Sequence, residues 1–94
     1  MLEKHNEKYL VKKVKSLGGR CYKWVSPGNR GVADRIAILL GQVWIIETKR
    51  QGESLDPLQD EFKRFVIQHT ENYTVLTNKE EIDTWIAGLT KIKL

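Results

Sequence analysis

Asp34-Arg35-Ile36-Ala37-Ile38-Leu39-Leu40, then Gly41-Gln42, then Val43-Trp44-Ile45-Ile46-Glu47-Thr48-Lys49 is the stretch that decides the fold. Two apolar, β-rich runs on either side of a two-residue turn containing glycine read as a β-hairpin. Neither run alternates polar with apolar residues, so both faces of the sheet are expected to be covered by helices. The charged residues sit at the open end. Residues two apart in a strand share a face, so Glu47 and Lys49 project together, on the side that Val43 and Ile45 occupy earlier. Folding about Gly41-Gln42 sets residue 34 opposite roughly residue 49 and leaves Asp34 one cross-strand step from Glu47. Two carboxylates and an ammonium converge at one end of an apolar hairpin.

That convergence has a chemistry. Adjacent acids repel unless a cation lies between them, and hard oxygen ligands suit Mg²⁺ or Mn²⁺. The Thr48 carbonyl is a natural third ligand. Lys49 cannot ligate while protonated, but it can hold a metal-bound water and offset charge growing on a phosphate. The set suits metal-assisted phosphodiester hydrolysis. Each piece also has an ordinary reading: Glu47 and Lys49 as a strand-end ion pair worth under about 1 kcal/mol, and Asp34 as the end of a loop. Glu-x-Lys alone is common. An acid 13 residues upstream, a tight hairpin between, and a basic first third of the chain favour the site.

Outward from the hairpin, a helix is expected from about Glu3 to Leu17, stopped by Gly18-Gly19. Its apolar stripe is Leu10, Val14 and Leu17, and at 100° per residue Glu7 falls near the middle of it. An inward carboxylate and a first-turn complement to the helix dipole both account for Glu7. Arg20 to Val25 reads as a strand, and Ser26-Pro27-Gly28-Asn29-Arg30-Gly31 as a loop. Asp56-Pro57 opens a second helix carrying Leu58, Phe62, Phe65, Val66 and His69 at helical spacing. Tyr73 to Leu76 is a further strand. Thr77 or Asn78 then caps a third helix with Ile82, Trp85, Ile86 and Leu89 as its buried stripe. The order is α-β-β-β-α-β-α, an α/β fold with a mixed sheet flanked by helices.

Ninety-four residues suit one domain spanning 1–94. Hydrophobic residues make up 40% and charged residues 30%, which excludes a disordered tail or a fibre. Cys21 stands alone, so packing rather than disulfides must hold the domain, in a reducing, cytoplasmic setting. No run approaches the roughly 20 apolar residues of a membrane span. The net charge of +4 is unevenly spread: residues 1–30 carry +6 and residues 31–94 carry −2. A basic first third suggests a polyanionic partner, although charge alone equally describes a solvated lysine-rich helix face.

Three motifs in order, Gly31-Val32-Ala33-Asp34, Ile45-Ile46-Glu47-Thr48-Lys49 and Leu55-Asp56-Pro57-Leu58-Gln59, resemble the VRR-NUC family, the virus-type replication-repair nucleases of the PD-(D/E)xK superfamily. The resemblance runs from Glu7 to about Leu76. It implies a restriction-endonuclease-like core and a metal-dependent nuclease. Asp34 and Glu47 would be metal ligands, helped by the Thr48 carbonyl, and Lys49 the catalytic lysine. Glu7 matches the family's first-helix acid, which faces the site, and Gln59 its glutamine on the helix after the lysine strand. Asp56-x-x-Gln59 is also a complete capping box, so either role suits Gln59. Where the superfamily has proline before the first acid, this chain has Ala33. Lys23, Arg30 and Arg35 flank the site as candidate phosphate contacts, with Lys12, Lys13 and Lys15 at the edge of a footprint.

Small stand-alone members, from phages and bacteria, resemble Holliday junction resolvases and act as dimers on branched DNA. The expectation is therefore an Mg²⁺- or Mn²⁺-dependent endodeoxyribonuclease that cuts structures such as four-way junctions. It would work as a homodimer, in the cytoplasm of a bacterial or phage-infected cell, away from membranes. The apolar faces of Trp44 and Ile46, or the third helix, are candidate dimer surfaces. The rival readings are a restriction-type or nicking nuclease on duplex DNA, a non-catalytic DNA-binding module, and an interaction domain with incidental acids.

Overall fold

The computed structural model describes residues 2–92. The chain runs α1 (Lys4–Ser16), β1 (Arg20–Lys23), β2 (Arg35–Leu39), β3 (Gln42–Thr48), α2 (Pro57–Ile67), β4 (Tyr73–Leu76) and α3 (Lys79–Ile92), in the order expected from the sequence. The strands form one sheet in the order β1-β2-β3-β4. The first two pairings are antiparallel and β3 lies parallel to β4. A parallel neighbour requires a crossover, and α2 supplies it.

The hairpin turn differs from the expected one. Leu39 pairs with Gln42, so the two turn residues are Leu40 and Gly41. Both have positive φ, 51° and 76°, the pattern of a type I′ turn, whose twist matches that of the strands. The glycine takes the second central position, and Leu40 accepts the left-handed conformation at the first. Arg35 consequently lies opposite Ile46. Continuing that count sets residue 34 level with residue 47, not 49, so Asp34 and Glu47 are closer than the Gly41-Gln42 turn would leave them.

One face of the sheet carries Ala37, Leu39, Ile46 and Leu76, all buried against Leu10 and Val14 of α1 and Ile82, Trp85, Ile86 and Leu89 of α3. Trp44 closes this layer edge-to-face on Trp85, with ring centroids 5.6 Å apart. The core is tight where α1 returns to the sheet. A β-carbon on Gly19 would sit 2.5 Å from the Ile38 carbonyl oxygen, so the helix approaches this closely only because residue 19 has no side chain. Gly18 and Gly19 donate to the carbonyls of Lys15 and Val14, a Schellman stop. At α3 the cap is Asn78, whose side chain accepts from the Glu81 amide, while Glu81 reaches back to Thr77.

The opposite face is only partly covered, contrary to the expectation from two uninterrupted apolar strands. Tyr22, Ile38 and Val43 are each half exposed there. Ile38 faces Val43 across the hairpin, and Tyr22 pairs with Ile36 two residues away, so the three form one uncovered strip. The α2 stripe is likewise incomplete. Val66 is buried and Phe62 packs on Trp24, but Leu58 and Phe65 remain open to solvent. One helix is too narrow to roof a four-stranded sheet. Ile46 and Trp44, candidates for a dimer surface, instead belong to the covered layer. Among the described residues, no helix is long and apolar enough to cross a membrane.

Candidate active site

The site forms where β2 begins and β3 ends. Asp34 precedes the first paired residue of β2, and its backbone carbonyl accepts from the Trp24 amide at 2.7 Å, which ties the loop's return to the end of β1. Its carboxylate is held from the side: Oδ2 accepts from the Thr48 hydroxyl at 2.7 Å and from the Thr48 amide at 3.1 Å. Thr48 itself is 1% exposed. The loop before Asp34 is pinned by Gly31, with φ of 89° and no room for a β-carbon, which would meet the Leu58 carbonyl oxygen at 2.5 Å. Packing of that loop against α2 thus replaces the stiffening that a proline at Ala33 would provide.

Glu47 is 1% exposed and reaches the same place from β3. Its carboxyl shares a hydrogen bond with Asp34, and one of its oxygens, Oε1, is buried with no partner among the described residues. Burial, the hydrogen bond to Asp34 and the Asp34 charge push Glu47 up to about 8, against the opposing charge of Lys49. Burial also acts upward on Asp34, but hydrogen bonds from Glu47 and from the Thr48 hydroxyl and amide outweigh it and hold Asp34 below the usual carboxylate range. The two shifts run in opposite directions, Asp34 favouring its ionised form and Glu47 its protonated form, the response of neighbouring carboxylates to each other's charge.

Lys49 follows directly. Its backbone amide donates to the Leu76 carbonyl at 3.1 Å, the residue is 9% exposed, and its positive charge acts on Glu47. Nothing in the sequence around Tyr73 singles it out. It lies opposite Ile45 on the face that Glu47 occupies, its hydroxyl is buried without a partner among the described residues, and burial together with the Glu47 and Asp34 charges raises its pKa. No local motif marks it; only the parallel β3–β4 pairing brings it alongside.

The other candidates have partners of their own. Glu7, expected near the middle of the α1 apolar stripe, lies instead at its edge beside Val14, only partly buried, and accepts from Arg35 Nη2 at 3.3 Å. Arg35 shares its face with Ile46, the side opposite Glu47, and the pair is a largely buried ion bridge. Arg35 is thus engaged inside the protein, while Lys23 and Arg30 are exposed. Gln59 closes the capping box: its Oε1 accepts from the Asp56 amide at 3.0 Å and its own amide donates to Asp56 Oδ1 at 2.9 Å. Its side-chain nitrogen has no hydrogen-bond partner among the described residues.

Two comparisons bear on this arrangement. The chain is 42% identical over 66 residues to "Putative nuclease p44" of Acyrthosiphon pisum secondary endosymbiont phage 1, covering 67% of this chain and 71% of that protein. A solved structure described as "VRR_NUC domain" superposes with a TM-score of 0.76 at 30% identity, covering 86% of this chain and 89% of that one. The chain belongs to the VRR-NUC family of nucleases. No family model matches the sequence. The VRR-NUC sheet, mixed and helix-flanked, is the one described above.

In a nuclease of this fold the donor set fits a divalent ion. Among the described residues, no three His, Cys, Asp or Glu side chains cluster as a ready-made metal cage. The pair of hard carboxylates, one with an orphaned buried oxygen, matches instead the way Mg²⁺ or Mn²⁺ binds through one or two acids while keeping its waters.

Proposed function

We propose that this chain is an Mg²⁺- or Mn²⁺-dependent endodeoxyribonuclease whose reaction centre is Asp34, Glu47 and Lys49. The observation that carries the reading is the Asp34–Glu47 pair, a half-buried acid against a buried one whose Oε1 is unsatisfied, with the buried Lys49 next in the strand. An apolar end to the strand would be more stable, so this arrangement invites a function. A divalent ion held by Asp34, Glu47 and the Thr48 carbonyl would polarise the scissile phosphate and acidify a bound water. Thr48 fixes Asp34 in position by two hydrogen bonds. Lys49 orients the attacking water and offsets the charge growing on the phosphate oxygens. Glu7 and Gln59, matched to family positions, are assigned supporting roles. Glu7 acts through its bridge to Arg35, and Gln59 through its unpartnered amide nitrogen.

The substrate proposed is branched DNA, with Lys23 and Arg30 on phosphates beside the site. One carboxylate pair per chain cuts one strand, so cutting two requires a homodimer. The uncovered strip of Tyr22, Ile38 and Val43 supports a second copy on that face. The test is cleavage of a four-way junction, a flap, single strands and a linear duplex with the same arms, each with Mg²⁺, Mn²⁺ or chelator. Metal-dependent cutting that favours the junction is expected. Equal or preferential cutting of the duplex would favour a restriction-type or nicking enzyme. Binding without cutting in either metal would leave a DNA-binding module. Light scattering should give twice the mass of one chain.

A further inference from the structure

At 100° per residue, Lys4, Lys8, Lys12 and Lys15 fall within about 80° of one another, on the side of α1 away from Leu10 and Val14. A lysine-bearing helix face normally stands convex in solvent. Here the four lysines, Val11 and the Glu7–Arg35 pair border a shallow, open depression of about 430 Å³ walled mainly by the carbon stems of these side chains. The single acid in it is already held by Arg35, so its charge is cancelled. Through Val11 and Lys15 the groove continues into a second one, of about 560 Å³, which reaches Arg20 and the half-exposed Tyr22. A separate depression, lined by Glu3 and Asn6 with Arg50 and Gln51, the residues that follow Lys49, lies near the N-terminal end of α1. The lysine-lined trough thus reaches Arg35, the chain neighbour of Asp34, on the face of the sheet opposite the carboxylates, and runs from there along α1.

From Lys4 to Lys15 the helix rises about 16 Å. One strand of duplex DNA presents a phosphate about every 3.4 Å along its axis, so the stripe spans about five. We propose that this trough is a track for the sugar–phosphate backbone flanking the cut, gripping phosphates without reading bases. The inference rests on the nuclease reading and adds to it a surface of α1 that the reaction itself does not need.

The test is fluorescence-anisotropy binding of a 24-base-pair duplex in chelator across a salt series. Lys8→Ala/Lys12→Ala/Lys15→Ala is compared with wild type and with Lys79→Ala/Lys91→Ala on α3. Every phosphate that the protein stops neutralising flattens the log–log salt slope by about 0.9, so the triple variant should lose about 2–3 in slope and at least tenfold in affinity at ~0.1 M salt. The α3 pair should leave the slope as in wild type. Alanine favours helix, so α1 persists, which circular dichroism checks; the Lys→Gln triple provides a second variant. A wild-type slope in both triples, or an equal loss in the α3 pair, would overturn the track. Wild type that cuts no DNA with either metal sinks the nuclease reading alone, because the binding comparison needs no cleavage.

Discussion

Two charged pairs lie back to back across the same strands. On the α1 side, Arg35 and Glu7 are opposite charges at 3.3 Å, nearly enclosed and mutually satisfied. On the α2 side, Asp34 and Glu47 are two carboxyl groups whose mutual repulsion helps push Glu47 upward, and one oxygen is left orphaned. Their sequence neighbours are almost the same, since Asp34 adjoins Arg35 and Glu47 adjoins Ile46, which faces Arg35. The alternation of the strands sends one pair to each face. An opposite-charge pair is satisfied within the fold, and removing one member would leave the other charge uncompensated. A like-charge pair destabilises the fold until a cation arrives, and so marks the place where chemistry is expected.

The largest effect should come from breaking the second pair. Glu47→Ala is expected to lower metal-dependent cleavage by at least about 10³-fold and to abolish the rise in melting temperature on adding Mg²⁺ or Mn²⁺. Retained cutting would remove the assignment. Lys49→Ala should keep the metal-induced rise in melting temperature while cleavage falls by about 10²–10³-fold, because the lysine acts on the phosphate rather than on the ion.

Breaking the first pair should do the reverse. Arg35→Met leaves Glu7 without its partner and is expected to cost about 1–3 kcal/mol, at roughly 4–8 °C of melting temperature per kcal/mol. The metal-induced rise should survive. If Arg35→Met left stability untouched but erased metal binding, the two pairs would have exchanged roles.

The pH response sharpens the same contrast. Glu47 is raised from 4.5 to about 8 in the folded protein, so folded chains keep a proton that unfolded chains have released. Its contribution is complete below about pH 4.5 and disappears as pH rises through about 8. Asp34, shifted downward, acts in the opposite sense and at lower pH. Without metal, the melting temperature should therefore fall by at least about 4 °C between pH 5 and pH 9, the shift about 1 kcal/mol produces in a domain of this size. Glu47→Gln should flatten that fall, and saturating Mg²⁺ should oppose it. The smallest effect is at Gln59. Gln59→Ala should cost about 1 kcal/mol through the cap, and a fall in cleavage rate beyond that loss of folded protein would assign its amide to the site.

Much of this is legible in the sequence because it depends on local chemistry. Asp56-Pro57 with Gln59 specifies a helix start whatever surrounds it, and the capping box forms as its spacing predicts. Gly18-Gly19 stops α1 by the same local logic. The turn falls one residue earlier than the Gly41-Gln42 pattern suggests. Gly41 suits either central position of a tight turn, and choosing between them depends on how the strands' twist and packing align. Glu7's partner is not legible either. Helical periodicity places a side chain within some tens of degrees, too coarse to say whether it meets Arg35 or the carboxylates across the sheet.

Residue order alone determined the element sequence, the caps, the hairpin and the presence of two acids and a lysine at its open end, because each is governed by neighbours within a few residues. Only the tertiary structure decided which acid meets which partner, that Tyr73 lies beside Glu47, that half of one sheet face stays open, and that four spaced lysines border a trough. Those outcomes depend on register and on the close approach of α1 and α2 to the sheet. Such contacts join residues far apart in the chain, and no local pattern encodes them.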